Sequence, residues 1–338
     1  MERRLRQSRS FGVTARLPGA EDVRAAAARI ASVAVRTPLL ECTALDARCG
    51  GRVFVKPEVL QRTGSFKFRG AWNCLSQLSA TERRGGVVAW SSGNHAQGVA
   101  AAARMLGLPA LIVMPSDAPR LKIERTRGFG ADVVLYDRAT EVREEIGARI
   151  AAERGAVVVL PYDDPEIIAG QGTVGLEIAE DAARLGVALD AVLVPAGGGG
   201  LAAGTALALG ATMPDAKVWC VEPQGFDDHA RSLAAGQRLG NEAGGKSFCD
   251  ALLAPMPGEL TFAINSVRLA GGLAVSDTEV AVAMRFAFED LKLVVEPGGA
   301  VALAAVLAGR YDARGKSVAL VLSGGNADPV AFARVLAG

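Results

Sequence analysis

Lys67 stands between Phe66 and Phe68 in the stretch RTGSFKFRGA, with Gly64 and Ser65 before it and Gly70 after. A lysine is ordinarily held out in water. Among aromatic side chains it loses hydration, its pKa falls, and the neutral amine becomes a nucleophile suited to an aldehyde. A second cluster, VPAGGGGLAAG, sets Gly197, Gly198, Gly199 and Gly200 between a strand-like run and an Ala-rich, helix-like one. Such a loop turns backbone N–H groups toward an anion at a helix N-terminus, and phosphate is its natural guest. A bare strand-to-helix turn needs only about one or two glycines. A phosphate cradle together with an activated lysine suggests pyridoxal phosphate.

Two competing motifs lie nearby. Gly197 to Ala202 also satisfies GxGxxA, and Glu222 follows at the end of KVWCVEP, where a ribose-binding acid would sit. That reading, an NAD-dependent dehydrogenase, leaves Lys67 without a role. GNEAGGKS, residues 240–247, matches a P-loop letter for letter, but a P-loop follows a buried strand and opens a helix. The flanks here are helix-like ARSLAAGQRL and a Pro-containing segment.

The elements that must carry these residues alternate along the chain. Glu21 to Val33 reads as an Ala-rich helix, and Arg52 to Glu58 as a strand. From about residue 86, four short Val/Ile-rich runs alternate with Ala-rich helical patterns, which implies buried parallel strands. The rhythm resumes at GQGTVGLEIAEDAARLG and continues to SVALVLSGGN. This is an α/β pattern. It predicts a small domain over 86–163 inserted in a larger one formed by 1–85 and 164–338, with a ligand in the cleft between them.

Composition agrees. The chain has 338 residues, half of them hydrophobic and 5% aromatic, with a formal net charge of +1. No general attraction to nucleic acid or an anionic membrane follows from that charge, and no apolar run is long enough to span a bilayer. Five cysteines without a CxxC pair fit a reduced, cytoplasmic protein. Two histidines and no clustered cysteines argue against zinc. The first twenty residues hold five arginines and read as a solvated arm, with a weak likeness to a mitochondrial transit peptide.

TGSFKFRGA, SSGNHAQG, PAGGGGLAAG, EPGGA and LSGGN follow one another in the order and spacing of the serine/threonine dehydratases and serine racemases. From about residue 20 to 330 the sequence resembles this family, the fold type II pyridoxal-phosphate enzymes. The resemblance implies two parallel-sheet α/β domains with the cofactor in the interdomain cleft. It implies an ammonia-lyase for small β-hydroxy amino acids, with threonine and serine as default substrates, 3-hydroxyaspartate as a candidate, and serine racemase as the alternative. Dimers or tetramers are usual in the family. With twelve residues after Asn326, no C-terminal regulatory domain is expected.

Residue by residue, the resemblance makes Lys67 the Schiff-base lysine and α-proton base, with Phe66 against the cofactor ring. Asn94 would bond the ring hydroxyl, Gly197 to Gly200 and the Leu201 N–H would hold the phosphate, and Ser323 would face the pyridine nitrogen. Ser91, Ser92, Asn94 and His95 would meet the substrate. Ser92 would serve the ring face opposite the lysine, and Arg143 would meet a second carboxylate. VEPQGFDDHA implies a Mg²⁺ or Ca²⁺ site from Glu222, the Phe226 carbonyl and Asp228. Ala251 stands where the family has a glycine, which implies a substrate pocket of different shape.

Taken alone, several of these residues have plainer readings. Asn94 could cap a helix starting at His95, and Ser92 could be a helix N-terminal hydroxyl. Ser323 fits a strand-end turn. Arg143 fits an exposed pair with Glu141, Glu144 or Glu145, and VEPQGFDDHA fits a solvated acidic loop.

Overall fold

A computed structural model describes residues 16–118, 120–242 and 244–338. Most of the Arg-rich opening lies outside the described residues. The strands in chain order are β1 (Leu40–Glu41), β2 (Arg52–Pro57), β3 (Val87–Trp90), β4 (Ala110–Pro115), β5 (Asp132–Tyr136), β6 (Val157–Val158), β7 (Ala191–Pro195), β8 (Lys217–Pro223), β9 (Gly271–Val275) and β10 (Ser317–Leu322). They form two sheets, of order β1-β2-β10-β7-β8-β9 and β5-β4-β3-β6. Every pairing is parallel except β1 with β2.

The apolar strands are explained by helices on both faces. On the larger sheet, Val53, Val55, Leu193, Val221 and Leu320 pack against the helix Pro297–Leu307. Their neighbours Phe54, Val192, Val194, Cys220 and Val321 pack on the other face against helices Pro165–Arg184 and Gly200–Thr212. The smaller sheet divides likewise, with Ala89, Ile112 and Met114 on one face and Val88, Leu111 and Val113 on the other.

Two expectations change. The first helix runs Ala20–Ile30, because a turn at Ile30 ends it before Val33. The four strands of the smaller sheet are not equally buried. β5 lies at an edge with Leu135 exposed, and β6 is two half-buried residues at the other edge. Edge strands lack a neighbour on one side, so their burial is partial.

Parallel order puts the residues of interest at carboxyl ends of strands. The glycine loop follows β7, Ser323 follows β10, and Glu222 lies near the end of β8. In the smaller sheet, Ser91 to Asn94 follow β3, Arg143 comes after β5, and Tyr162 after β6. Open α/β sheets bind ligands at this edge.

Candidate active site

Lys67 begins the helix Lys67–Leu75. The strand-end segment before it is stitched to the end of β10: Ser65 bridges Gly324, and the Phe66 N–H donates to the Ser323 carbonyl at 3.1 Å. Lys67 Nζ lies 5.0 Å from the centroid of the Phe66 ring and donates to the Pro161 carbonyl at 2.6 Å. Burial pulls its pKa down to about 8. The residue nevertheless keeps some accessible surface, as an amine on the floor of a cleft would.

A buried ionic cluster anchors this helix. Arg69, two residues on, is fully buried and donates to Glu58 at 2.7 and 2.8 Å and to Glu177 at 2.7 and 2.9 Å. Lys56, also fully buried, donates to Glu177 and to the Thr37 carbonyl, each at 2.6 Å. The sequence gives these charges no obvious partner, since Glu177 lies 108 residues from Arg69.

The glycine loop meets the physical demands of an anion site. Among the described residues, no backbone N–H from Gly197 to Ala202 has a hydrogen-bond acceptor, and the first helical bond is from the Ala203 N–H to the Gly199 carbonyl. Buried Thr261 and Asn265 hold the loop's carbonyls, donating to Gly198 at 2.7 Å and Gly199 at 3.3 Å. The donors are thereby left free for a guest. Gly199 has φ +92°, and a Cβ there would stand 2.3 Å from His229 Nε2. A Cβ on Gly198 would strike the Tyr162 ring at 2.3 Å. Side chains are excluded at both positions, which the sequence shows only as four glycines.

Asn94 is the first residue of the helix Asn94–Leu106, with Gly93 at the cap. Its amide does not cap the helix. It donates to the Glu296 carboxylate and accepts from Asn326 Nδ2 at 2.8 Å. Glu296, of the EPGGA segment, is buried; burial and the charge of Asp250 push it up to about 7, against the hydrogen bond from Asn94. A Cβ on Gly324 would lie 2.1 Å from Glu296 Oε1 and 3.0 Å from Asn94 Nδ2. LSGGN, EPGGA and SSGNH therefore converge on one spot. Glu296 was visible within a motif, yet only the fold reveals its contact with Asn94.

The other candidates divide. Ser91 Oγ accepts from the Gly93 N–H at 3.2 Å, and Ser92 occupies the bend before that helix. His95 Nε2 lies 2.9 Å from the Val159 carbonyl; burial and the Lys67 charge push its pKa down to about 3, so the ring is neutral. Arg143 opens the helix Arg143–Arg154 and donates to Glu144 at 2.7 Å, half-exposed, with Tyr136 and Tyr162 near enough to act on its charge. Ala251 lies in a short turn, its carbonyl 3.5 Å from where a Gly197 Cβ would be.

Glu222 is buried and accepts from the N–H groups of His229 and Ala230, each at 2.9 Å. Such burial removes it from any ribose, and the dehydrogenase reading loses its acid. Asp228 is buried as well and accepts from Asn241 at 2.7 Å, while its second oxygen has no partner. Burial pushes Asp228 up to about 6; burial and the Asp228 charge raise Glu222 well above the usual carboxylate range. The loop is therefore not solvated, and an orphaned carboxylate oxygen beside a second acid fits a divalent cation. Phe226 is partly buried in the turn between these acids, its N–H donating to the Pro223 carbonyl at 3.0 Å. Among the described residues of 240–247 none follows a strand or opens a helix, so the segment is not a P-loop. The five cysteines carry no disulfide, and among the described residues no helix is long and apolar enough to cross a membrane.

Residues 30–324 match the family profile described as "Pyridoxal-phosphate dependent enzyme". The chain is 45% identical over 317 residues to an L-threo-3-hydroxyaspartate ammonia-lyase of a Pseudomonas species, covering 94% of this chain and 98% of that one. It is 43% identical over 316 residues to an L-threonine ammonia-lyase of Thermotoga maritima, covering 94% and 77%. The structure of maize serine racemase superposes with a TM-score of 0.89 at 36% identity, covering 95% and 98%.

Proposed function

This chain belongs to the pyridoxal-phosphate dependent enzymes, and on that premise we propose that it is an ammonia-lyase acting on small β-hydroxy amino acids. The reaction removes the α-proton and the β-hydroxyl, releasing water and an enamine that hydrolyses to a 2-oxo acid and ammonia. L-threo-3-Hydroxyaspartate is the first substrate to test and L-threonine the next, because relatives named for those two activities are more than 40% identical; L-serine, the smallest β-hydroxy amino acid, follows.

The observation that carries this reading is Lys67: an amine with its pKa drawn down to about 8 and its Nζ on the Pro161 carbonyl, across the meeting of the two sheets' carboxyl edges. When bound, the cofactor supplies an electron sink for negative charge at the substrate α-carbon. Lys67 Nζ takes the α-proton, and a pKa near 8 leaves roughly a fifth of the amine neutral at about pH 7.4, against about a thousandth for an ordinary lysine. The unpaired N–H groups of Gly197 to Gly200 and Leu201 hold the phosphate. Asn94, steadied by Glu296 and Asn326, orients the ring edge. Phe66, whose ring lies 5.0 Å from Lys67 Nζ, and Ser323, buried at the end of β10, would hold the ring of the bound cofactor.

Unpaired N–H groups of Asn94 and His95 at their helix N-terminus, with Ser91 and Ser92, receive the substrate α-carboxylate. Arg143 pairs with the second carboxylate of 3-hydroxyaspartate. A cation is held by Glu222, Asp228 and the Phe226 carbonyl. Ser92 is the residue through which racemisation would proceed, and the 36% identity to maize serine racemase keeps that second activity in view.

The test is the release of 2-oxo acid and ammonia from the isomers of 3-hydroxyaspartate, threonine and serine. Equimolar product from at least one L-isomer supports the proposal. Inversion of serine without 2-oxo acid would assign the racemase activity instead.

A further inference from the structure

Beside the glycine loop, three donor residues meet in a buried spot. Glu222, Asp228 and His229 are each fully buried, and one ligand atom from each lies within 4.8 Å of the others. Asp228 Oδ2 has no hydrogen-bond partner, and neither does Nδ1 or Nε2 of His229. A buried imidazole with both nitrogens unpaired is rare, since buried polar groups are almost always satisfied. Among the described residues no Lys or Arg side chain donates to any of the three: Arg231, whose charge acts on Asp228, is engaged by Asp227 at 3.6 Å and by Asn241 and the Gly240 carbonyl.

Glu222 uses one lone pair of each oxygen on the His229 and Ala230 N–H groups, leaving others for a ligand. Those same bonds fix the start of the helix Asp228–Ala235, which carries the other two donors. Hydrogen bonds of this kind hold metal ligands in orientation.

We infer that His229 is an inner-sphere ligand, so that Glu222, Asp228 and His229 form a mixed nitrogen–oxygen site for a divalent first-row transition metal. The inference rests on the proposed cation site and changes both its ligand set and its metal. Carboxylate and carbonyl oxygens suit Mg²⁺, Ca²⁺ and Mn²⁺; an imidazole moves selectivity toward later first-row ions such as Fe²⁺, Ni²⁺ and Zn²⁺, with Mn²⁺ the weakest-binding member of that series and its spectroscopic probe. The ligand atoms lie within 4.8 Å of one another, and ligands about 2.0–2.2 Å from one ion stand at most about 4.4 Å apart, so the three side chains are close enough to gather on a single ion by side-chain adjustment. The His229 ring also packs on the glycine loop, its Nε2 2.3 Å from where a Gly199 Cβ would stand. Metal and cofactor sites therefore share one wall.

The test is pulsed EPR of Mn²⁺ bound to the EDTA-stripped holoenzyme, with affinities for Mn²⁺, Mg²⁺ and Ca²⁺ measured by calorimetry. The wild type should show ¹⁴N modulation from a directly bound imidazole. His229→Gln should abolish it and weaken Mn²⁺ by at least the roughly 10–100-fold that loss of even an outer-shell partner costs, with little change for Mg²⁺. Bound Mn²⁺ without ¹⁴N modulation, and with unchanged affinity in His229→Gln, overturns the imidazole ligand and leaves an all-oxygen cation site standing. Failure of all three ions to bind removes the cation site itself. The spectrum of the wild type decides the ligand question even if the variant does not fold.

Discussion

Replacing Arg143 by methionine removes a guanidinium and keeps a stem of similar length and packing. A charge-assisted contact from Arg143 to the second carboxylate of 3-hydroxyaspartate is worth about 1.5–3 kcal/mol. Arg143 must first give up Glu144, which it holds at 2.7 Å. The two side chains are 43% and 50% exposed, and a pair so open to water contributes about 0–1 kcal/mol. Taking the middle of that range, about 0.5 kcal/mol, for the pair given up, the net loss is about 1–2.5 kcal/mol, or roughly five- to seventyfold in kcat/KM for 3-hydroxyaspartate. Serine and threonine have no second carboxylate and should stay within a few-fold of wild type. Steady-state kinetics on 2-oxo acid release measures all three substrates. Equal losses on every substrate would refute the carboxylate contact and make Arg143 a support for the fold. No loss on any would leave it a surface residue paired with Glu144.

Ser92→Ala should remove racemisation of serine while dehydration of the L-isomer largely persists, as chiral chromatography run beside the 2-oxo acid assay would reveal; parallel losses would give Ser92 a structural role. Arg69→Met leaves Glu58 and Glu177 short of their buried partner and should destabilise the protein by about 3–5 kcal/mol in denaturant melts; a change under about 1 kcal/mol contradicts the ionic cluster as an anchor. Glu296 has a folded pKa of about 7 against an ordinary 4.5, so the folded state binds the proton more tightly. In cofactor-free protein its contribution to stability should therefore fall as pH rises from about 4.5 to 7, by roughly 3 kcal/mol. Glu296→Gln should flatten that part of the stability–pH curve, and identical curves would show that Glu296 does not titrate there.

What could be read in the sequence was what the backbone demands locally. Gly199 needs a positive φ, and four glycines in a row announce an anion loop before any fold is known. Lys67 was legible because its aromatic neighbours already imply a desolvated amine. Alternating buried runs gave both sheets, apart from the edge strands, whose exposure depends on the neighbours they lack. Partners distant in sequence were not legible. Asn94 looked like a helix cap, and its partner Glu296 lies 202 residues away. Arg69 carries no local signal of burial, and only the fold encloses it with Glu58 and Glu177. Counting histidines and cysteines argued against zinc, yet that count cannot see His229 folded against two buried acids.

Borohydride reduction of the holoenzyme followed by peptide mass mapping tests the central claim most directly, because it fixes the cofactor to whichever amine holds it. Two lysines have pKa values lowered by burial, and they differ in accessibility. Lys56 is fully enclosed and paired with Glu177, whereas Lys67 keeps accessible surface, lies over the Phe66 ring and donates to the Pro161 backbone carbonyl instead of a carboxylate. The phosphopyridoxyl mass should appear on the peptide containing Lys67 and disappear, together with turnover, in Lys67→Ala of unchanged melting temperature. The label on Lys56 or another lysine, or turnover preserved in Lys67→Ala, would contradict the assignment of Lys67 as the cofactor-bearing base.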